Sequence, residues 1–218
     1  QTNKSTERAT EAKIGIFFDN SWHPSDSNRT IPVINPTNGD AFTEIAAGNA
    51  ADIDRAVRAA RAAFDGAWGQ LSATERGRLL SNVGLLIIEH FDELATLEAL
   101  DTGKPMKQAK ADITAAARYF EYYGAAADKV HGETIPFMNG FFVTTEHLPH
   151  GVTGHIIPWN YPAQMFGRSL APALAMGNAT VIKPAEDACL SSLRLAELCA
   201  EAGFPPGAIN LVPGSGEL

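Results

Sequence analysis

Apolar and polar residues alternate in different ways along the chain, and each pattern predicts a different kind of element. Ile14–Phe18 and the segment 31–45 are rich in β-branched and aromatic residues, which is typical of short strands. Asn38–Gly39 interrupts the second stretch, and both residues tolerate positive φ angles, so the pair predicts a tight turn. We therefore expect a small β-region near the N-terminal end.

From about residue 49 the apolar positions recur at helical spacing. Asn49 is a candidate N-cap, Ser72-x-x-Glu75 is a capping box, and Gly103 followed by Pro105 is a typical helix ending. These signals predict four helices that begin near Asn49, Ser72, Phe91 and Met106.

The segment 134–150 follows neither pattern. Three phenylalanines and several β-branched residues give it the composition of a strand, and Asn139–Gly140 is a second tight-turn signal. Its polarity does not alternate cleanly, so no face is marked for burial. We predict an extended β-arm that protrudes from the core.

Residues 151–218 predict an alternating βαβαβ order. The strands and the helices between them are Val152–Ile157, Pro162–Met176, Ala179–Ile182, Leu190–Ala202 and Ile209–Val212. This order almost always means parallel strands joined by right-handed crossovers, and it forms half of a doubly wound dinucleotide-type sheet. The predicted fold class is α/β, with an incomplete doubly wound parallel sheet, flanking helices and the β-arm. Since little sequence follows the third strand, we expect that strand to form an unpaired apolar edge.

Composition narrows the classes of function. The 218 residues are 45% apolar and carry a net charge of −8. A negative protein does not favour general nucleic-acid binding or anionic membranes, because both need positive charge. No apolar run reaches the ~18 residues of a membrane span, and residues 1–12, expected to be a disordered tail, contain no signal-peptide core.

Cysteine and histidine usage adds two expectations. Cys189 and Cys199 are too few for a disulfide framework, so we expect free thiols and a cytoplasmic location. Cys189 lies near a helix start, where the dipole could lower its pKa, but a small buried cysteine is the alternative. His147, His150 and His155 match no zinc-site spacing, and we expect no metal site.

Two loops follow the carboxyl ends of predicted strands, where ligands bind in open α/β sheets. In the first, Pro158 and Pro162 restrict the backbone around Asn160. An immobilised amide N–H can stabilise a developing oxyanion. The alternative is that Asn160 caps the helix that follows.

The second loop contains Lys183, Ala185 and Glu186. Dinucleotide-binding folds use an acidic residue here for the adenosine ribose hydroxyls, and Lys183 could donate to the same ribose. The alternative is a solvated pair at a strand exit. A carboxylate at this position repels a 2′-phosphate, which favours NAD over NADP. Gly214-x-Gly216 could bring backbone close to a phosphate, but no Gly-x-Gly-x-x-Gly follows the first strand of the βαβαβ unit.

Together these segments resemble one family closely, the NAD(P)-dependent aldehyde dehydrogenases. The strings that carry the resemblance occur in the family's order: ERGRLL, LEALDTGKP, IPWNYP, APALAMGN, VIKPAE and EAGFPPGAINLVPGSG. The resemblance covers nearly all of the chain after residue 12. It implies that residues 13–133 and 151–218 belong to a NAD-binding domain. It also implies that the arm at 134–150 pairs subunits in homodimers or homotetramers, which fits an exposed strand edge.

The resemblance also implies roles for individual residues. Asn160 corresponds to the oxyanion-hole amide, which stabilises the tetrahedral thiohemiacetal formed when a Cys thiolate attacks an aldehyde. Hydride transfer to NAD gives a thioester, and a Glu-activated water releases the carboxylic acid. The implied cofactor-binding residues are Ile157, Pro158, Trp159, Lys183, Ala185, Glu186 and Gly214.

The chain departs from the family in two respects. Many members have Lys nine positions after the Asn, where this chain has Ser169 preceded by Arg168. The family's nucleophilic Cys and general-base Glu lie beyond residue 218, so we expect the chain by itself to be inactive. Two alternatives stay open: a non-catalytic nucleotide-binding fragment, and a CoA-acylating or phosphate-reducing relative. Gln164, Met165 and Phe166 are candidates to line the aldehyde tunnel.

Overall fold

The structure is a computed structural model that describes residues 15–217, so the predicted tail at residues 1–12 lies outside the described residues. The strands are β1 Ile16–Phe18, β2 Ser21–His23, β3 Thr30–Ile34, β4 Ala41–Ala46, β5 Thr134–Ile135, β6 Val143–Thr144, β7 Val152–Ile157, β8 Ala179–Pro184 and β9 Ile209–Leu211. The helices are α1 Ala50–Asp65, α2 Ala73–Glu89, α3 Phe91–Thr102, α4 Met106–Ala126, α5 Pro162–Ala175 and α6 Leu190–Glu201, with a 3₁₀ turn at Ala127–Lys129.

The four helices predicted after residue 49 are confirmed, and local caps set their ends. The side chain of Asn49 accepts a hydrogen bond from the N–H of Asp52 at 3.1 Å, and the Asp52 carboxylate accepts one from the N–H of Asn49 at 3.2 Å. Ser72 and Glu75 form the second capping box. Gly103 ends α3 at a φ of +72°, a left-handed conformation that glycine adopts without strain.

Five strands form one mixed sheet in the order β2-β1-β9-β8-β7. Strands β7, β8 and β9 are parallel, as the βαβαβ pattern predicts. The prediction that β9 forms an unpaired edge is wrong, because β1 pairs antiparallel with β9 and places Phe17 opposite Leu211. All three residues of β9 are buried. A buried strand must pair its backbone groups, and the N-terminal strand supplies the partners.

Helices pack on both sides of this sheet. Helix α1 contacts β8 and β9, and on that side Ile16, Ala56 and Val212 form a small buried cluster. Helix α5 contacts β7 and β8 from the other side, and α4 packs between α5 and α2 around the main core. The α1 side of β7 is left partly uncovered, since Ile156 is 82% exposed. None of the described helices combines the length and apolarity needed to cross a bilayer.

Two small β-ribbons lie outside the main sheet. Strands β3 and β4 pair antiparallel around the turn predicted at Asn38–Gly39. Strands β5 and β6 pair antiparallel in the predicted arm, whose tip exposes Phe137, Met138, Phe141 and Phe142. The extended conformation of the arm is therefore confirmed, while its part in subunit pairing stays a prediction.

Candidate functional site

Three loops meet at the carboxyl edge of the parallel strands. They follow β7, β8 and β9 and include residues 158–161, 185–189 and 212–216. A cavity of about 300 Å³ lies against the sheet on the α1 side, lined by residues 154–156, 181–183 and 212–216 together with Gly48 and Ile53. A Cβ atom added to Gly154 would meet no atom within 4 Å, so this glycine leaves room above the sheet.

Glu186 links two of these loops. Its Oε2 accepts a hydrogen bond from Nζ of Lys183 at 2.7 Å, and its Oε1 accepts one from the backbone N–H of Gly216 at 3.0 Å. The hydrogen bond from Lys183 is the largest cause that lowers the pKa of Glu186, so this carboxyl is ionised at neutral pH. Ala185 lies half-buried in the loop after β8, and Gly214 lies buried in the loop after β9.

The predicted residues at the end of β7 differ in exposure. Ile157 is buried under the loop, Pro158 is half-buried, and Trp159 is 62% exposed. Ile157 is the last residue of β7, and exposure increases along the loop that follows it. The loop after β7 therefore presents an exposed indole ring at the sheet edge.

Asn160 lies exposed in the same loop. Helix α5 begins after it with Tyr161 as the N-cap residue and without a side-chain cap bond, so the alternative that Asn160 caps this helix is wrong. Asn160 is instead held through its main chain, because its carbonyl oxygen accepts a hydrogen bond from Nζ of Lys104 at 3.0 Å.

Sequence reasoning missed the charged cluster behind this loop. Lys104 pairs with Glu98 at 2.9 Å and with Asp112 at 2.8 Å, and both carboxylates are buried. The sequence predicts a helix ending at Gly103 and assigns no role to Lys104. One signal was available: Glu98 lies four positions after Leu94 on the apolar face of α3, where a charged residue is unusual.

Neither cysteine is placed to act as a nucleophile. Cys189 and Cys199 are both buried, and burial raises the pKa of both thiols. The alternative of a Cys189 thiolate activated by the start of α6 is therefore wrong, because the cost of burying the charge outweighs the helix dipole.

Ser169 occupies the position where the family often has Lys, and it contacts a histidine. Oγ of Ser169 lies 2.7 Å from Nδ1 of His155, and Nε2 of the same ring lies 2.9 Å from Oγ1 of Thr153. Burial lowers the pKa of His155, so the imidazole is neutral at neutral pH. Arg168 is exposed and does not take this place. Within residues 15–217, no group of three or more His, Cys, Asp or Glu side chains is arranged to hold a metal ion.

The three candidate tunnel residues on α5 are not equally available. Phe166 is fully buried, with its ring centroid 6.4 Å from that of Phe120, so the expectation that it lines an open channel is wrong. Gln164 and Met165 are half-buried and keep part of their surface free.

Comparison with known proteins finds similar sequences and similar folds. The sequence model of the aldehyde dehydrogenase family matches residues 22–218. Human retinal dehydrogenase 2 is 48% identical over 204 residues, which are 92% of this chain and 39% of that protein. A crystal structure from Burkholderia cenocepacia, of a protein assigned as an aldehyde dehydrogenase, is 58% identical with a TM-score of 0.92 and covers 93% of this chain and 43% of its own.

A third relative was solved with its cofactor. The NAD⁺ complex of aldehyde dehydrogenase from Bacillus cereus is 39% identical with a TM-score of 0.96, over 100% of this chain and 45% of that one. The chain thus spans about two fifths of the length of the relatives that it matches. Since the family match covers residues 22–218, the chain belongs to the aldehyde dehydrogenase family.

Proposed function

We propose that the protein containing this chain oxidises an aldehyde to a carboxylic acid with NAD, and that this chain supplies the cofactor-binding half of the site and the oxyanion-binding Asn160. The observation that carries the proposal is the link from Lys183 through Glu186 to Gly216 beside the cavity. It joins two loops at the sheet edge where dinucleotides bind. Family membership supports the class of reaction.

The residues at the cavity fit NAD. Gly154 leaves space over the sheet, and Gly214 and Gly216 add no side chains to the loop after β9, which allows backbone to approach a phosphate closely. A carboxylate has about four acceptor positions, and Glu186 uses one oxygen for Lys183 and the other for Gly216, so capacity remains for ribose hydroxyls. Its negative charge disfavours the 2′-phosphate of NADP. When bound, NAD supplies the hydride acceptor.

The chain's own residues would do three things in this reaction. Asn160 would donate its side-chain N–H to the oxyanion that develops on the aldehyde oxygen when the thiolate adds to the carbonyl carbon. Pro158 and Trp159 would form the wall beside the transferred hydride, and Glu186 with Lys183 would fix the far end of the cofactor. The thiolate and the general base would come from elsewhere in the protein, because Cys189 and Cys199 are buried. By itself, the chain would bind NAD without turning over aldehydes.

We also propose that the arm at 134–150 pairs with a second copy of the chain in a homodimer or homotetramer. An isolated two-stranded ribbon is at best marginally stable in water, and this one exposes several aromatic rings, such as Phe142 at 82%. A cytoplasmic location is supported by two unpaired thiols, Cys189 and Cys199.

Turnover by the complete natural protein tests the main proposal. Aliphatic, aromatic and acidic aldehydes would be offered with NAD, and NADH formation would be compared with carboxylic acid formation. We expect equal amounts of both products with at least one class of aldehyde and no need for CoA or phosphate. Dependence on CoA or phosphate would favour an acyl-transferring relative, and NAD binding without turnover of any aldehyde would favour the non-catalytic alternative.

A further inference from the structure

Lys104 lies in a pocket of acceptors beneath the loop that carries Asn160. Its ammonium donates to Oε1 of Glu98 at 2.9 Å, to Oδ2 of Asp112 at 2.8 Å and to the carbonyl oxygen of Asn160 at 3.0 Å. The same nitrogen lies 4.9 Å from the centre of the Tyr161 ring. The side chain is only 11% exposed, so water does not replace these partners.

The charge of Lys104 is secured by its surroundings. Burial by itself would lower the pKa of Lys104, but the hydrogen bonds to Asp112 and Glu98 outweigh it and the pKa is raised. The ammonium is therefore present throughout the working range of pH. A second hydrogen bond to Asp112, from Nε2 of Gln108 at 2.9 Å, keeps that carboxylate in place.

Glu98 extends the cluster to both helices that begin beside the site. Its Oε2 accepts from Oγ of Ser191 in the first turn of α6 at 2.6 Å, and it lies 3.4 Å from the backbone nitrogen of Ala163 in the first turn of α5. One carboxylate thus joins α3 to the starts of α5 and α6. The loop after β7 is clamped between this contact at Ala163 and the Lys104 contact at Asn160.

We propose that Lys104, held by Glu98 and Asp112, is a positioning residue for Asn160, which it fixes in the geometry that binds the oxyanion. The inference rests on the function proposed above. Buried ion pairs add little stability compared with apolar packing, so three charged groups beneath one short loop need another reason. The contact to the carbonyl of Asn160 supplies it, because an oxyanion donor works only when it is held in place before the reaction.

The test needs a variant that loses the anchor without leaving a buried charge unpaired. Lys104→Met alone would strand two buried carboxylates and could prevent folding. The triple change Lys104→Met, Glu98→Gln and Asp112→Asn removes all three charges together and keeps the side-chain sizes. The control is Lys110→Met on α4, because Lys110 also pairs with an aspartate, Asp92 at 3.1 Å, and lies near an aromatic ring but is exposed.

Each change would be made in the complete natural protein, with and without Asn160→Ala. In the background that keeps Asn160, we expect the triple change to lower kcat about 10- to 100-fold while KM for aldehyde and Kd for NAD change less than about twofold. In the Asn160→Ala background the same change should lower kcat by less than about twofold, because Lys104 acts through the missing amide. Lys110→Met should change none of these values.

Two kinetic results would overturn the proposal. One is an unchanged kcat in a folded triple variant, and the other is an equal loss in both backgrounds, which would indicate a general structural role. Hydrogen exchange of the loop 158–163 gives a readout that does not need turnover, and it should become faster in the triple variant while residues 179–186 stay as protected as before. Unchanged exchange in the loop would refute the anchor even in a protein that oxidises no aldehyde, whereas inactivity of the unmodified protein would refute the proposed function.

Discussion

Replacing Glu186 by Gln removes one negative charge from the proposed cofactor site and keeps the shape of the side chain. The amide oxygen can still accept the N–H of Gly216, but the charge-assisted bond to Lys183 at 2.7 Å is lost. Two ribose hydroxyls would also lose a charged acceptor. Hydrogen bonds to charged groups contribute about 1.5–3 kcal/mol. Because Glu186 is 33% exposed, solvent screening reduces this to about 1–2 kcal/mol.

That free energy corresponds to a Kd for NAD that is about 5- to 30-fold weaker in Glu186→Gln. The affinity for NADP should fall less or rise, because the repulsion of the 2′-phosphate is gone. Both affinities would be measured by isothermal titration calorimetry on the complete protein at two ionic strengths. Discrimination against NADP by the unmodified protein should decrease at high salt, where exposed charges are screened.

A matched control separates the site from a general loss of surface charge. Glu121→Gln breaks the ion pair of Glu121 with Arg118, which has the same i,i+3 spacing and a similar exposure of 39% at the carboxylate but lies on α4, away from the cavity. We expect its Kd for NAD to match that of the unmodified protein. A Kd in Glu186→Gln within twofold of the unmodified value, with NADP discrimination intact, would refute the assignment of this carboxylate to the ribose.

Asn160→Ala should lower kcat about 10²- to 10³-fold with little change in Kd for NAD, since one oxyanion donor is lost; steady-state kinetics with kcat unchanged would contradict the assigned role. Gly103→Ala should lower the free energy of unfolding in urea by about 1–2 kcal/mol, because the φ of Gly103 is +72° and a Cβ would lie 2.7 Å from Cγ of Pro36. An unchanged free energy of unfolding would show that the end of α3 adapts. Burial raises the pKa of Cys189 and Cys199, so both thiols should resist alkylation at pH 9 in the folded protein and react after unfolding. Peptide mapping by mass spectrometry would measure this, and modification of either thiol in the folded state would contradict their burial.

The location of two proposed site residues could be predicted from the sequence. Asn160 and Glu186 stand at the ends of apolar strands, and the rule that ligands bind at such ends singles them out. Their partners could not be predicted in the same way. Glu186 meets Gly216 from 30 positions away, and Lys104 meets Asn160 from 56 positions away, so these contacts depend on how whole elements pack.

The ends of the helices could be predicted because the interactions that set them are local. Asn49, Ser72 and Gly103 act on backbone groups within a few residues, and the structure places a helix boundary at each of them. The short strand β2 escaped prediction because three residues, Ser21–His23, carry no period of their own and are extended only by pairing with β1.

The sequence by itself determined the helices, the turns and the parallel βαβαβ order, because caps, turn residues and apolar periodicity act locally. Only the tertiary structure decided that β1 covers the edge of β9 and that a buried lysine lies behind the loop of Asn160. Both contacts join parts of the chain that share no local signal. They form because a buried strand must satisfy its backbone and a buried charge must find its partners, and the packed fold decides which groups are within reach.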